Sequence, residues 1–118
     1  MKSKSLFDKD QEYITVQPGQ IIFREGDAAD RMYAVVEGTV DILINGQLME
    51  TVGPGGFFGE MALIEEKPRN ATAKVTATAK LATIDQVTFL FLVQRNPSFA
   101  LQLMSVMAGR LRKMDERL

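Results

Sequence analysis

The chain has 118 residues, of which 46% are apolar, and its 14 basic and 15 acidic residues give a formal net charge of −1. This length and apolar content suit one domain with a sizeable core, and the balanced charge argues against the basic surface of a nucleic-acid-binding domain. The sequence contains no cysteine and no histidine, so disulfides and thiol chemistry are excluded, and the commonest metal ligand and general base are missing.

The N-terminal segment gives no sign of export. Residues Met1 to Ser5 are polar and lack the apolar core of a signal peptide. No apolar run in the sequence approaches the length of a membrane span. We therefore expect a cytoplasmic protein that does not associate with a membrane.

Residues 12–85 have the pattern of β-structure, because short apolar runs alternate with turn signals such as Pro18-Gly19 and Gly38. Pro18-Gly19 suits a type II turn. Many short strands divided by frequent turns favour a sandwich, a barrel or a jelly roll. The predicted strands cover residues 13–16, 20–23, 32–36, 39–44, 48–52, 72–77 and 80–84.

Asn45-Gly46 predicts a two-residue hairpin loop, because both residues tolerate a positive φ. A regular hairpin around this loop would place Asp41 opposite Glu50. Like charges across a strand pair are unfavourable. Either both carboxylates are solvated, or the register differs from the regular one.

The last third of the chain changes to helical spacing. Asp85 suits the N-cap of a helix over residues 86–94, and Asn96-Pro97 suits the start of a second helix that runs to residue 118. Two apolar rows on the second helix predict that one covers the β core and the other forms a homodimer; the alternative is one wide core-facing stripe. The rows are Leu101, Met104, Ala108, Leu111 and Leu118, and Leu103, Met107 and Met114.

Residues 55–73 combine features that suit a phosphate and a sugar. Glycines allow close backbone approach, and residues 59–64 predict a short helix whose first N–H groups can face an anion. Glu60 can accept hydrogen bonds from a polyol such as ribose. Arg69 offers a planar donor fork for two phosphate oxygens.

Each of these features also has a simpler explanation. The glycines can serve only to turn the chain. Glu60 can be a favourable carboxylate in the first turn of a helix. Arg69 can pair on the surface with Glu65 or Glu66. The order and spacing of the features together favour a ligand site over these separate explanations.

The segments FGEMALI at 58–64 and PRNAT at 68–72 closely resemble the phosphate-binding cassette of cyclic-nucleotide-binding domains, found in the bacterial catabolite activator, protein kinase regulatory subunits and cyclic-nucleotide-gated channels. Residues 18–27, 32–40, 96–97 and 108–112 extend the resemblance along most of the chain. It implies a mainly antiparallel β-roll or jelly roll (a double-stranded β-helix) with a short cassette helix and flanking N- and C-terminal helices. One domain over 1–118 would contain the β-roll at 12–85, the cassette at 55–73 and C-terminal helices at 86–118.

The resemblance also implies a role for individual residues. Glu60 would bind the ribose 2′-hydroxyl, Arg69 the cyclic phosphate, and Arg110 would close over the base as a lid. The base would lie against apolar residues of the roll such as Val52 and Val75. The remaining expected ligand-binding positions are Gly59, which allows close approach of the sugar, Met61 within the cassette, and Ala62, Asn70 and Ala71, whose backbone N–H groups would complete the phosphate cradle.

The sequence departs from the family pattern at two places that bear on the base. Asn70 stands where a hydroxyl is associated with contact to guanine, so cyclic AMP is the expected ligand and cyclic GMP the alternative. Met114 and Asp115 stand where helix hydroxyls read adenine in the catabolite activator, and they cannot reproduce that contact.

These inferences predict a regulatory sensor module with no catalytic residues, no metal and no cofactor, whose effector protein the sequence does not identify. No direct binding to nucleic acid is expected, because the chain stops where a helix-turn-helix would begin. Alternatives are a degenerate domain that serves only in dimerisation or protein interaction, and the ligand-binding fragment of a transcription regulator. A metal-dependent enzyme of the cupin type is not expected, since it needs histidine-rich ligand sets.

Overall fold

The computed structural model describes residues 12–65 and 67–117, with side chains as far as residue 113. The expected N-terminal helix, residue Glu66, and the side chains of Met114, Asp115 and Leu118 lie outside the described residues. The described elements are β1 (Tyr13–Val16), β2 (Ile21–Phe23), β3 (Arg31–Ile44), β4 (Gln47–Val52), β5 (Phe57–Phe58), α1 (Met61–Ile64), β6 (Thr72–Asp85), α2 (Gln86–Arg95) and α3 (Ser98–Arg117).

The strands form one antiparallel six-stranded sheet in the order β1-β6-β3-β4, with β2 added to β6 and β5 added to β3. β3 and β6 have 14 residues each. They pair along most of their length, from Arg31 opposite Asp85 to Leu43 opposite Thr72. The predicted mainly antiparallel β architecture is confirmed.

Two predicted strand breaks are wrong, because β3 continues through the turn signal at Gly38 and β6 continues through residues 78–79, which separated two predicted strands. Gly38 has a φ of +87°, and a Cβ atom on it would lie 2.2 Å from the carbonyl oxygen of Thr78. The β3–β6 register shifts on both sides of this glycine. A glycine inside a strand can mark a bulge with close backbone approach rather than a strand end, so the chain bends here without stopping.

The Asn45-Gly46 loop has the predicted hairpin geometry, with φ values of 52° and 77° between Ile44 and Gln47, which pair with each other. The expected opposition of Asp41 and Glu50 does not occur, because β4 contains one extra residue at Met49. Glu50 pairs with Ile42 instead, and Asp41 pairs with Thr51. The Thr51 hydroxyl donates a hydrogen bond to Asp41 over 2.7 Å, which replaces the like-charge pair.

The start of β3 is buried on both faces, which explains its uninterrupted apolar run. Successive side chains of a strand point to opposite faces. Met32 and Ala34 therefore join one buried cluster with the helix residues Leu92, Phe99 and Leu103. The second cluster fills the inside of the roll and contains Phe23, Tyr33, Val35, Val40, Val52, Phe58, Ala73, Val75, Ala79 and Leu81.

The helix α2 begins as the sequence predicted, and α3 begins at Ser98, one residue after the expected start at Pro97. The side chain of Asp85 accepts a hydrogen bond from the Thr88 N–H over 2.8 Å and caps α2. On α3 the two apolar rows are distinct, because Leu103 and Met107 pack against the helix-side core cluster. Within the described side chains, the members of the other row exposed to solvent are Leu101, Met104 and Leu111.

Candidate ligand-binding site

Arg69 lies inside the molecule, with 9% of its surface exposed. Its guanidinium donates from Nη1 to the Gly59 carbonyl over 3.1 Å and from Nη2 to the Arg31 carbonyl over 2.7 Å. It stacks on Phe23, with 4.0 Å between Cζ and the ring centroid. The surface ion pair with Glu65 does not form, since Glu65 instead lies 3.9 Å from Lys67.

The backbone of Arg69 is fixed as firmly as its side chain. The Arg69 N–H donates to the Asp27 carbonyl and the Gly26 N–H donates to the Arg69 carbonyl, each over 2.8 Å. The loop that supplies these partners is itself closed by the Asp27 carboxylate, which accepts from the Arg24 N–H over 2.9 Å. These hydrogen bonds fix the backbone position from which the guanidinium reaches Gly59.

The positive charge of Arg69 is incompletely compensated. Among the described residues no carboxylate lies within ion-pair distance of its guanidinium, and its buried Nε has no hydrogen-bond partner. Burial lowers the pKa of Arg69 from its ordinary value, against a raising effect from Tyr33 and Asp30. Carbonyl oxygens and an aromatic ring attract a cation, but they carry no net negative charge, so the arrangement suits an anionic ligand.

Glu60 is also buried, with 7% of its surface exposed, but its charge is compensated. Its Oε1 accepts from Arg110 Nη1 on α3 over 2.8 Å. Glu60 sits at the N-cap of α1 without capping it, so the carboxylate is available for this pair. The cassette is thereby joined directly to the last helix.

Arg110 is bound at several further points. Its Nε donates to Glu50 Oε1 over 2.7 Å and its Nη2 to Glu50 Oε2 over 3.4 Å. Nη2 also donates to the Phe57 carbonyl. Burial opposes the charged form of Arg110, but the hydrogen bonds and charges of Glu50 and Glu60 outweigh burial and raise its pKa. This is not the solvated arginine of an exposed helix end.

The other expected ligand-binding positions differ in their contacts and in their exposure to solvent. Gly59 has a φ of +76°, and a Cβ there would lie 2.8 Å from Arg69 Nη1, so the glycine allows the guanidinium to approach. The N–H of Ala62 donates to the Gly59 carbonyl over 3.2 Å, so it is already used in the turn. Ala71 is buried, while Asn70 and Met61 are exposed.

The suggested base-contact residues Val52 and Val75 are both buried in the cluster inside the roll. That cluster also contains the three rings of Phe23, Tyr33 and Phe58, and Tyr33 stacks on Phe58 with 5.2 Å between ring centroids. Arg69 therefore lies at the edge of an aromatic interior. A cleft of about 490 Å³ is lined by Ala28, Ala29, Asp30, Ala62, Leu63, Lys67, Pro68 and Gln86.

A family model described as cyclic nucleotide-binding domain matches residues 13–96. The chain belongs to the cyclic nucleotide-binding domain family. This family is a regulatory ligand-binding domain rather than a catalytic one. The match includes Glu60 and Arg69 and ends before Arg110, so the family model covers the cassette and the roll but leaves α3 outside.

Members of this family with curated descriptions resemble the chain over about three quarters of its length. A cyclic nucleotide-gated potassium channel of Mesorhizobium japonicum is 41% identical over 86 residues, which cover 73% of this chain and 24% of the channel. A cAMP-dependent protein kinase regulatory subunit of Eremothecium gossypii is 40% identical over 87 residues, which cover 74% of this chain and 19% of the subunit. The chain thus spans a quarter or less of these two relatives.

A solved structure confirms the fold of this cyclic nucleotide-binding domain. The catabolite activator protein of Thermus thermophilus superposes with a TM-score of 0.79 at 31% identity, over 91% of this chain and 53% of the activator. The expected β-roll fold is therefore shown. Within the described residues no helix is long and apolar enough to cross a membrane, and no cluster of acidic side chains could hold a metal ion.

Sequence reasoning missed the groups of this domain that surround the two arginines. Phe23 and the Arg31 carbonyl hold Arg69, and neither carries a sequence signal, because Phe23 reads only as a buried strand residue. Glu50 did carry a signal. Its predicted clash with Asp41 showed that the regular register was unfavourable, although not where Glu50 would point instead.

Proposed function

We propose that the chain is a regulatory sensor that binds a cyclic nucleotide, with cyclic AMP as the preferred ligand, and signals through α3. The observation that carries the proposal is Arg69, a buried guanidinium with no carboxylate at ion-pair distance in the described part of the chain. A buried charge is costly unless it is paired. A cyclic phosphate would supply the missing negative charge, and Arg69 is held in place for it.

The ribose and the base are assigned to neighbouring groups. Glu60 uses one carboxylate oxygen for Arg110, and a carboxylate can accept at both oxygens, so its second oxygen would take the ribose 2′-hydroxyl. Gly59 allows close approach of the sugar, and Met61, Ala62, Asn70 and Ala71 border the phosphate. Arg110 stands beside Glu60 and would close over the base. The absence of a hydroxyl at Asn70 supports adenine over guanine.

The binding experiment is a thermal-shift screen of the purified chain with cyclic AMP, cyclic GMP and linear AMP. A ligand at 100 times its dissociation constant stabilises a protein by about 2.7 kcal/mol. We expect the largest shift with cyclic AMP, a smaller one with cyclic GMP and none with linear AMP, whose extra phosphate charge and open ring do not suit the cassette. Equal shifts with all three, or no shift with any, would contradict the proposal.

The pairing of Glu60 with Arg110 supports a second candidate function. Because Glu60 already has a partner, the domain is consistent with a degenerate member that keeps the fold for dimerisation or protein interaction. Calorimetry with cyclic AMP separates the two candidates, since the degenerate domain gives no heat of binding. The similarity to the Thermus thermophilus activator, of which this chain covers 53%, also supports a role as the ligand-binding part of a larger regulator.

Dimerisation through α3 is proposed from the spacing of its exposed row. Leu101, Met104 and Leu111 are 66%, 56% and 62% exposed, and with Ala108 they repeat at intervals of three, four and three residues. This is the a/d spacing of a two-stranded coiled coil. We expect Leu111→Glu to convert a dimer to a monomer in sedimentation velocity, and Gln102→Glu, on another exposed face of α3, to leave the dimer intact. A wild-type monomer at all concentrations would refute this proposal.

The remaining assignments follow from the same proposal. Residues 1–118 would form a single domain, with the β-roll at 12–85 and the C-terminal helices at 86–118. The chain would act in the cytoplasm as a binding protein without catalytic residues or a bound cofactor, and it would not contact nucleic acid or membranes directly. Its effector is a protein that responds to the position of α3.

A further inference from the structure

The extra residue in β4 determines which face of the sheet Glu50 occupies. In the regular two-residue hairpin Glu50 would lie opposite Asp41, and both would share one face. The bulge at Met49 instead places Glu50 opposite Ile42, which packs against the cluster inside the roll. Bulges can re-aim a side chain in this way. Asp41 remains on the other face, paired with Thr51.

On the inner face Glu50 meets Arg110 with both of its oxygens. The contacts of 2.7 Å and 3.4 Å form a two-point pair, which gives more geometric definition than a single ionic contact. About a quarter of each side chain remains exposed, 23% for Arg110 and 26% for Glu50. The pair is therefore only partly screened by solvent, and it joins β4 to α3 across 60 residues of sequence.

Glu50 and Glu60 both bind the guanidinium of Arg110, but only Glu60 has a further partner in the proposed ligand site. Glu60 belongs to the cassette, and the proposed function gives it a second partner in the ribose. Glu50 lies on β4, outside the cassette at residues 55–73. Its contacts with Arg110 involve no residue of the cassette.

We propose that Glu50 is a positioning residue that holds α3 beside the cassette, through Arg110, before any nucleotide binds. The contact of Glu50 with Arg110 then orders α3 before the nucleotide binds. A protein whose binding-competent form is already populated binds with less loss of affinity than one that must first order a helix. The effect of Glu50 on nucleotide affinity rests on the proposed function, whereas its effect on α3 does not.

The test is hydrogen exchange of the full chain without nucleotide, comparing Glu50→Gln with the matched control Asp41→Asn. Both variants neutralise one carboxylate of the same strand pair with little change in shape. We expect Glu50→Gln to speed exchange in residues 106–112 of α3 about fivefold, the scale of a partly exposed ion pair, with β3 and β6 unchanged. We expect Asp41→Asn to leave α3 at the wild-type rate.

A double-mutant cycle of Glu50→Gln with Arg110→Gln, read on the same α3 amides, identifies the partner. If Glu50 acts through Arg110, the two changes are not additive. Wild-type exchange of α3 in Glu50→Gln would overturn the proposal, and so would additive effects. Equally faster exchange throughout β3, β6 and α3 would also overturn it, because that result indicates general destabilisation.

Calorimetry with cyclic AMP then tests the consequence for binding. We expect the Kd of Glu50→Gln to rise by about the same fivefold factor, since fewer molecules start with α3 in place. If wild-type protein binds no nucleotide while Glu50→Gln still frees α3, the positioning role of Glu50 is supported and the proposed function fails. If nucleotide binds and the exchange of α3 is unaffected by Glu50→Gln, the proposed function is supported and the positioning role of Glu50 fails.

Discussion

Among the described residues, the buried Arg69 and the partly buried Arg110 stand in opposite electrostatic situations. Arg69 has carbonyl and aromatic neighbours, and burial lowers its pKa. Arg110 has two carboxylates, whose pairing outweighs burial and raises its pKa. A cation that the protein leaves without a counter-charge is suited to an anionic ligand, whereas a cation that the protein has paired is suited to joining elements. The surroundings of the two side chains, rather than their residue type, separate a cation that can take an anionic ligand from one that the protein has already paired.

The largest expected effect is on ligand binding by Arg69→Leu, which removes the cation from the proposed phosphate site. Loss of one partner from a desolvated charge pair costs about 2–5 kcal/mol of binding free energy. Calorimetry with cyclic AMP measures this loss. The matched control is Arg24→Leu, which removes an exposed arginine from the neighbouring loop that anchors the Arg69 backbone and should retain wild-type affinity. Wild-type affinity in Arg69→Leu would show that Arg69 does not bind the phosphate.

The second effect is on stability, where we expect the larger loss from the variant of Arg110 and the smaller loss from the variant of Arg69. Arg110→Gln leaves Glu60, with only 9% of its side chain exposed, without its cationic partner, and we expect the free energy of unfolding to fall by about 2 kcal/mol. Arg69→Leu removes a poorly compensated buried charge, so the nucleotide-free protein should lose no more than about 1 kcal/mol. Urea unfolding of both variants without ligand checks the contrast. Equal losses would contradict the assignment of different roles.

The third effect is the loss of stability in Asp85→Ala, which removes a helix cap that contacts neither Arg69 nor Arg110 and so serves as a reference for the other two variants. Loss of an N-cap costs about 1 kcal/mol. The hydrogen bond from the Thr88 N–H holds the pKa of Asp85 below its usual value, so its stabilising contribution is present above the unfolded-state pKa and is lost as the pH falls through the folded-state pKa. Urea unfolding should show a constant wild-type-to-variant difference at neutral pH that shrinks below about pH 4. A difference that grows in acid would contradict the capping role.

The smallest expected effect is on the choice of base, and it tests the residue beside Arg69. Asn70 is exposed beside Arg69, and Asn70→Thr introduces the hydroxyl associated with guanine contact. One added hydrogen bond is worth about 1 kcal/mol, so the ratio of cyclic GMP to cyclic AMP affinity should rise about fivefold, with unfolding unchanged. Competition calorimetry with both nucleotides measures the ratio. An unchanged ratio would mean that base choice is made elsewhere in the site.

The sequence predicted the parts of this molecule that depend on local signals. The hairpin at Asn45-Gly46 and the cap at Asp85 follow from residues close in sequence, and both are confirmed. The division of β3 and β6 into shorter strands was wrong, because Gly38 allows a bend whose acceptability depends on the distant Thr78 carbonyl. β5 was missed because Phe57-Phe58 follows directly on a glycine-rich turn.

In the candidate site, too, the residues with a local sequence signal were predicted and their distant partners were not. Glu60 and Arg69 were predicted from their spacing within one segment, and the structure places both in the interior. Their partners could not be predicted, since Phe23 lies 46 positions before Arg69 and Arg110 lies 50 positions after Glu60. Which distant residue meets a buried charge depends on sheet register. A single bulge changed that register for Glu50.

The bend at Gly38 lies on β3 between the points that serve the two arginine sites. The carbonyl that holds Arg69 belongs to Arg31 at the first residue of β3, while the carboxylate that holds Arg110 belongs to Glu50, opposite Ile42 near the other end of the same strand. Gly38 lies between these two points and has no room for a side chain. One strand therefore acts as the common frame of both sites, so a methyl group at its midpoint would misalign them together, although residue 38 touches neither guanidinium.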